Sequence, residues 1–582
     1  MEPQEIIYRI IETFKKIYFY FIRHEYKSFE NKKYNIRYST NLLNFIINNY
    51  NLTQINKINQ IIFNKKLNLL GGIFSNIKIK IDTNNNIWFY NYSGKDEWIK
   101  KRFGLFINKK KIAEIDDVKL LWELNRLQFL QPLCFEMYLT KNYEKVELIE
   151  NIIDDWIEKN QPFKGVNWSS GLEVAIRAIN LVIILNFLKN KIKNKKKIIF
   201  ILNASLQFLN MFPSLFSSSN NHYIAELVAK LLIMHTLSLN KNISSIRDKI
   251  TNELPLQFHK DGTPKEQSPT YGAFSIELIL LAIAVDKKLK RKIDQTILNN
   301  FSLFIKCISS GFYTSNIGDN DNGSVIFLID NVLPYPLQIA NLINKKKYIS
   351  ASKIFYDGGY SVITENKWKL IFDHGELGYL NIAAHGHADA LSILLYYNKI
   401  PILVDIGTYS YHKSNEVRNY FRSTANHNTL NIDNFNQSII TGPFNWGFKS
   451  NSKLCEHDLS KKIIIAENDG YKKRYNLIHQ RKIKWLKNEI LITDFLLNNT
   501  DKIANINFNF GPMVKLKISK NYCKVKLGND KIISFIFDPS GHLSLFKKQY
   551  SEIYGVSIDI QSLKWSGLVG PFGVNTKIKF ND

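Results

Sequence analysis

The sequence predicts an α+β multidomain protein, an all-helical domain followed by an all-β one. Three observations carry this. At 582 residues the chain is too long for one hydrophobic core. From about 115 to 310, apolar residues recur at helical spacing in successive segments joined by short polar loops. Near 350 the period switches to short β-branched and aromatic runs bounded by Gly, Asn and Asp. The expected domains are a mixed segment 1–110, a helical domain 111–345 and a β domain 346–582.

Residues 6–23 read as a helix in which apolar residues alternate with Glu, Lys and Arg. That pattern is amphipathic, unlike the uninterrupted apolar core of a signal peptide. Residues 71–92 read as extended, with a turn at 82–86. One helix is expected over 122–139, then others over 147–157, 172–187, 198–209, 223–239 and 274–289. Each would bury one stripe against its neighbours in antiparallel hairpins, and a bundle, a superhelix or a closed toroid all satisfy the pattern. Strands are expected at 360–364, 368–372, 391–395, 461–466, 482–485, 490–494 and 532–537. Many short strands in succession argue for an antiparallel sandwich.

Composition narrows the function. Lys and Arg number 78 against 51 Asp and Glu, a formal charge of +27, which attracts polyanions. The lysines are dispersed through an Asn- and Ile-rich chain, with no basic helix, zinc finger or RNA-recognition signature, so nucleic acid is not the expected partner. Cys134, Cys307, Cys455 and Cys523 have no motif spacing and suggest neither a disulfide framework nor a Cys-rich zinc site. Apolar runs such as 278–285 are too short to span a bilayer. A cytoplasmic protein is the default expectation, and the periplasm is the alternative if an atypical export signal is present.

Polar islands interrupt the helical pattern. In Asn167-Trp168-Ser169-Ser170-Gly171-Leu-Glu173, Ser169 or Ser170 suits an N-cap and Glu173 completes a capping box with Ser170. Asn167, Trp168 and Arg177 are left unexplained by capping, whereas Trp stacking on a sugar and Arg pairing with a carboxylate would use them. Asn220 or Asn221 suits the next N-cap, with His222 in the first turn, where the helix dipole disfavours a charged imidazole. Neutral His beside Asn amides at a helix N-terminus makes a cradle for a carboxylate. Ser268-Pro269 leads into a helix with Tyr271 in its first turn. The loop 317–323 lacks the glutamate of a calcium loop. His385, His387, Asp389, Asp405 and His427 collect in the β region, as a metal or proton-transfer site requires. The intervals, 18 residues from His387 to Asp405 and 22 from Asp405 to His427, match no local zinc motif, so such ligands would meet through the fold.

Taken in order, Trp122-Glu-Leu-Asn-Arg126, Asn167-Trp168…Glu173…Arg177, Asn221-His222…Glu226, Glu266-Gln267-Ser-Pro…Tyr271, Gly318-Asp319, His385-Gly-His387-Ala-Asp389 and Arg422-Ser-Thr-Ala-Asn-His427-Asn-Thr form a set. This set resembles the heparinase II/III-like polysaccharide lyases. The resemblance implies an N-terminal (α/α) toroid of antiparallel helix hairpins followed by a C-terminal antiparallel β-sandwich. It also implies β-elimination on a uronate-containing acidic polysaccharide, in degradation or in surface-polysaccharide metabolism. Asn221 and His222 would hold the uronate carboxylate, Tyr271 would be the acid and for one stereochemistry also the base, and His385 the alternative base. Asn167, Trp168, Glu173, Arg177, Gln267 and Arg422 would contact substrate. Tyr409, Tyr411 and Tyr420 are each available as a second tyrosine. His387, Asp405 and His427 would hold a structural zinc. On a regular strand His385 and His387 would face the same side, so dividing their roles requires a turn or bulge at Gly386. The alternatives are a silent glycan-binding protein and a zinc-dependent hydrolase.

Overall fold

The computed structural model describes residues 3–22, 34–50, 67–69, 72–74, 87–89, 102–107, 117–327, 333–346, 351–528 and 531–580. The expected turn at 82–86 lies outside the described residues, as does most of the extended stretch around it.

The helical domain is a toroid of hairpins, and hydrophobic pattern sorts its helices. Gly171–Leu188, Asn221–Thr236 and Pro269–Val285 are apolar on nearly every face and buried along almost their whole length. They pack side by side, Asn221–Thr236 touching both of the others. Val146–Lys159 and Gln295–Ile308 bury one stripe only, as surface helices do. The stretch Gly171–Lys191 is long and apolar enough to cross a bilayer, yet 94% of its 18-residue apolar window is buried inside the protein. Phe19, Leu42, Leu43, Ile46, Trp88, Phe89 and Phe103 join the same core, so the described parts of the early segment complete the toroid.

The expected single helix over 122–139 is two, Lys119–Asn125 and Gln131–Thr140. Leu127 is left-handed at φ 59° and a 3-10 turn follows it. Pro132 explains the break, because it has no N–H to continue the ladder and its fixed φ suits a first turn. Helices Ile243–Gln257, Gln295–Ile308 and Tyr335–Ile343 are additional to those expected.

The β-sandwich begins with a five-stranded antiparallel sheet in chain order, Lys353–Phe355, Tyr360–Glu365, Trp368–Asp373, Ile393–Tyr397 and Ile400–Leu403. One face carries Val362, Ile371, Leu394 and Tyr396 into the helical core. The other carries Leu370, Phe372, Ile393 and Leu395 into the sandwich core beside Ile483, Ile492 and Phe535. Both faces are covered, so these strands read as continuous apolar runs rather than alternating ones. A four-stranded and an eight-stranded antiparallel sheet, with a two-stranded hairpin Ile439–Gly442 and Asn445–Phe448, complete the domain's described strands.

Candidate active site

Tyr271 is fixed by the start of its helix. Ser268 caps the helix by accepting from the Tyr271 N–H at 3.2 Å, and Pro269 opens the first turn. The phenol ring stacks on His385 with centroids 3.8 Å apart at 17°. Its hydroxyl donates to Asp321 at 3.0 Å and lies 2.8 Å from the Tyr411 hydroxyl. Lys119 reaches the same Asp321 oxygen at 2.8 Å. Of the three candidate tyrosines, Tyr411 therefore meets Tyr271, while Tyr409 and Tyr420 pack around Phe421. Burial, then the charges of Asp321 and Asp319, hold the Tyr271 pKa well above 10. Burial and the neighbouring Tyr271 do the same for Tyr411. Both phenols keep their protons here.

His385 and His387 occupy a loop, not a strand, and the backbone at Gly386 runs so close to the Leu377 carbonyl that a Cβ would collide with it. The two rings consequently reach the two oxygens of one carboxylate. Asp319 lies 3.0 Å from His385 Nδ1 and 3.0 Å from His387 Nε2. Gly318, at φ 60° and pressed against the Gln267 carbonyl, admits that approach. Arg418 closes the arrangement, donating to both Asp319 oxygens at 2.5 and 2.6 Å. Burial pushes the Asp319 pKa up, but Arg418 and the histidines hold it well below the usual carboxylate range. The loop 317–323 is thus no calcium loop, since protein cations occupy both its carboxylates.

On its other edge His385 Nε2 faces Glu266 at 3.6 Å. Asn221 donates to Glu266 from its backbone at 3.2 Å and from its side-chain amide at 3.1 Å to each oxygen. Asn220 is the N-cap, accepting from the His222 N–H at 3.1 Å, and leaves His222 half-buried in the first turn. Burial raises the Glu266 pKa, while His385 and Asn221 oppose the rise. The centre is a line of polar groups, Asn221, Glu266, His385, Asp319 and Arg418, laid beside the Tyr271–Tyr411 pair at the seam between toroid and sandwich.

His387, Asp405 and His427 each bring a ligand atom within 4.8 Å of the others. His427 Nδ1 pairs with Asp405 at 2.7 Å. That leaves His427 Nε2 and His387 Nδ1 buried without hydrogen-bond partners. Two orphaned imidazole nitrogens beside a carboxylate are the donor set of a borderline-soft divalent cation, so these residues fit one.

The expected sugar contacts lie elsewhere and require correction. Glu173 makes no capping box, and Ser170 gives no side-chain cap. Glu173 instead accepts from Arg126 at 2.8 and 2.9 Å. Trp168 packs against Phe163 and Phe208 with no exposed face. Arg177 lies 4.5 Å over Trp156 and 5.3 Å over Trp168, and its burial lowers its pKa to about 9. Asn167 donates to Trp88 O and to Asn160 at 3.1 and 2.8 Å. These side chains lie in the toroid interior and are only partly satisfied there: Arg177 donates to Asn167 O at 2.9 Å, while Asn167 Oδ1, Trp168 Nε1 and Arg177 Nε are buried without a hydrogen-bond partner. Gln267 joins the domains, donating to Gly358 O at 3.3 Å and accepting from Tyr360. Arg422 donates to Gly442 O at 2.7 Å and lies over Trp446. Sequence reasoning missed Arg418, Asp117 and Tyr554, of which Asp117 accepts from Tyr554 and Ser410 at 2.5 Å each. The one available signal was Arg418 standing four residues before Arg422, which puts both on one side of a helix.

Comparison with known proteins agrees with this architecture. A heparin-sulfate lyase of Bacteroides stercoris is 22% identical over 448 residues, covering 68% of this chain and 64% of that protein. The aligned region thus spans less than two thirds of that relative. The crystal structure of heparinase III superposes with a TM-score of 0.67 at 17% identity, covering 97% of this chain and 91% of that one. A heparan sulfate lyase from Pedobacter heparinus gives 0.55 at 17% identity, covering 91% and 83%. At such identities the likeness establishes the toroid-plus-sandwich fold. The heparinase II/III N-terminus model matches residues 22–307 and the heparinase II/III-like C-terminal model matches 350–564, and on that coverage the chain belongs to the heparinase II/III-like family.

Proposed function

We propose that this chain is a polysaccharide lyase that cleaves a uronate-containing acidic polysaccharide by β-elimination. The observation that carries the reading is the stacking of Tyr271 on His385, with the Tyr271 hydroxyl shared with Tyr411 and the far edge of His385 facing the Asn221–Glu266 pair. An acid, a base and a carboxylate-neutralising group are the three functions that elimination needs.

The C5 proton of a uronate is weakly acidic while the adjoining carboxylate is charged. Hydrogen bonds from Asn221, His222 and the Glu266 carboxyl neutralise that charge, and burial favours the protonated form of Glu266. His385 takes the C5 proton, with Asp319 orienting its Nδ1. The C5 electron pair forms the C4–C5 double bond as the C4–O bond breaks. Tyr271, kept protonated by its surroundings, gives its proton to the departing oxygen and is recharged through Tyr411. Tyr271, Tyr411 and His385 are nearly sealed, so substrate access requires the seam between toroid and sandwich to widen around them.

His387, Asp405 and His427 would hold zinc. Bound there, the ion would brace the segment that carries His385, because its ligand His387 stands two residues on and shares the Asp319 carboxylate with His385. The net charge of +27 favours a polyanionic substrate, and a bacterial surface glycan is one fitting source.

The test is ultraviolet absorbance of a panel of acidic polysaccharides after incubation with the protein, with Tyr271→Phe alongside. An unsaturated uronate product that the variant fails to make is expected. New reducing ends without the chromophore would instead indicate a hydrolase.

A further inference from the structure

The helix Pro3–Ile22 is amphipathic and docks the wrong way round for a surface helix. Its polar stripe faces the protein. Glu5 is buried and binds Ser217, Arg9 reaches Leu215 O and Ser218 at 3.3 Å each, and Tyr8 donates to Pro213 O at 2.8 Å. Glu12 is tied to Arg9 and Lys16 at 3.0 and 2.8 Å. Apolar packing on this side comes from Phe19, edge-on to Phe163 and Phe212, and from Tyr8 against Phe216.

The opposite stripe is Ile6, Ile7, Ile10, Ile11, Phe14, Ile17, Tyr18 and Phe21, all at the surface. At 3.6 residues per turn these eight fall within an arc of roughly 140°, and no charged residue shares it. Ile7 is 58% exposed, Phe14 68% and Phe21 71%. Isolated exposed apolar residues are ordinary, but a continuous face of this kind marks a surface that something covers.

We infer that this face is a docking surface for an anionic lipid bilayer, on which the helix lies flat while its polar stripe holds the catalytic domain. Glu5, Arg9, Glu12, Lys15 and Lys16 make the helix too polar to span a membrane. A wide Ile and Phe face with tyrosine among it is the apolar half of an interfacial helix. Charge selects the occupant. Both carboxylates of the helix are turned inward, so its exposed charge is the cation Lys15. The whole chain carries +27, which draws it to anionic lipid and makes two copies repel. The inference stands apart from the proposed reaction.

Vesicle co-sedimentation of the full chain tests it, using phosphatidylcholine with and without about 30% phosphatidylglycerol. Phe14→Gln/Phe21→Gln removes apolar area without adding charge, and Ile10→Gln/Phe14→Gln is a second variant should the first lose its native circular dichroism. Phe572→Gln, at the 97% exposed Phe572 on the β domain, is the control. Wild type and the control should bind the anionic vesicles, and the double variant about tenfold or more weakly, given the apolar area withdrawn. Equal binding by the double variant would reduce the effect to bulk charge and overturn the inference. So would absence of wild-type binding. A dimer in sedimentation velocity that the double variant converts to monomer, without vesicle binding, would assign the face to a second copy instead.

Discussion

Asp319→Asn removes the charge at the centre of the site while keeping the side chain's shape. The carboxylate is fully buried, accepts from Arg418 at 2.5 and 2.6 Å, and lies 3.0 Å from each of His385 and His387. The other acceptors of Arg418 are the carbonyl oxygens of Pro443 and Ala384, at 2.9 and 3.4 Å. After the substitution its guanidinium stays buried without a counter-charge, and one amide N–H₂ must face a donor. Removing one partner of a buried pair costs about 3–5 kcal/mol, against at most about 1 kcal/mol for an exposed pair. For a domain the size of the sandwich, 1 kcal/mol moves Tm by about 2–4 °C, so a fall of about 10 °C is expected. Scanning calorimetry on wild type, Asp319→Asn, Arg418→Met and the double variant supplies the full cycle. Contact between the two residues predicts strong non-additivity, a coupling of about 2 kcal/mol or more. In turnover, the proposed mechanism places the loss on kcat rather than KM, because in it Asp319 orients His385 and makes no contact with substrate. A Tm loss below about 3 °C, or additive single variants, would refute the assignment of Asp319 as the keystone.

Three further outcomes are expected. Trp168→Ala should cost about 3–5 kcal/mol of stability, as large core truncations do, and leave KM unchanged in whatever protein folds, whereas a sugar-stacking role would raise KM. Asp494 is buried, yet Arg481 and His479 pull its pKa to about 2. A depressed carboxylate stabilises the fold above its unfolded value and loses that contribution as pH falls through the folded one. Acid unfolding between pH 4 and 2 should therefore remove about 2 kcal/mol, and Asp494→Asn, less stable at neutral pH, should show a flatter acid limb. Purified protein should contain about one zinc per chain by elemental analysis, matching a three-ligand site. Chelation should lower Tm while the product of residual turnover stays unsaturated, and His427→Ala should abolish zinc loading.

Much of the site was legible because its residues sit at strong local punctuation. Ser268-Pro269 fixed the start of a helix and with it Tyr271, and Asn220 did the same for Asn221 and His222. The switch of period near 350 announced the sandwich. What was illegible came from long range. Arg418, Asp117 and Tyr554 belong to segments without a motif and meet Asp319, Ser410 and Tyr411 only through the fold. The misreading of Glu173 and Arg177 has a different cause. On a helix buried on every side, a charge has no solvent-facing stripe to occupy, so it stands out in sequence as a binding residue. It is in fact matched internally, Glu173 by Arg126 and Arg177 by two indoles.

The helix Pro3–Ile22 exposes a limit of periodicity itself. A 3.6-residue repeat separates an apolar face from a polar one, and the usual inference adds that the apolar face turns inward because burying it is favourable. That second step is an argument about the surroundings, not about the helix. Here the toroid offers hydroxyls and carbonyls, Ser217, Ser218, Leu215 O and Pro213 O, at the docking position. A charged stripe meets its partners there, and turning the helix over would bury Ile and Phe against those groups and leave them unsatisfied. The apolar stripe is then the side left for an environment outside the chain. Amphipathicity read from sequence thus identifies the two faces, and only the polar inventory of the neighbouring surface decides which of them points out.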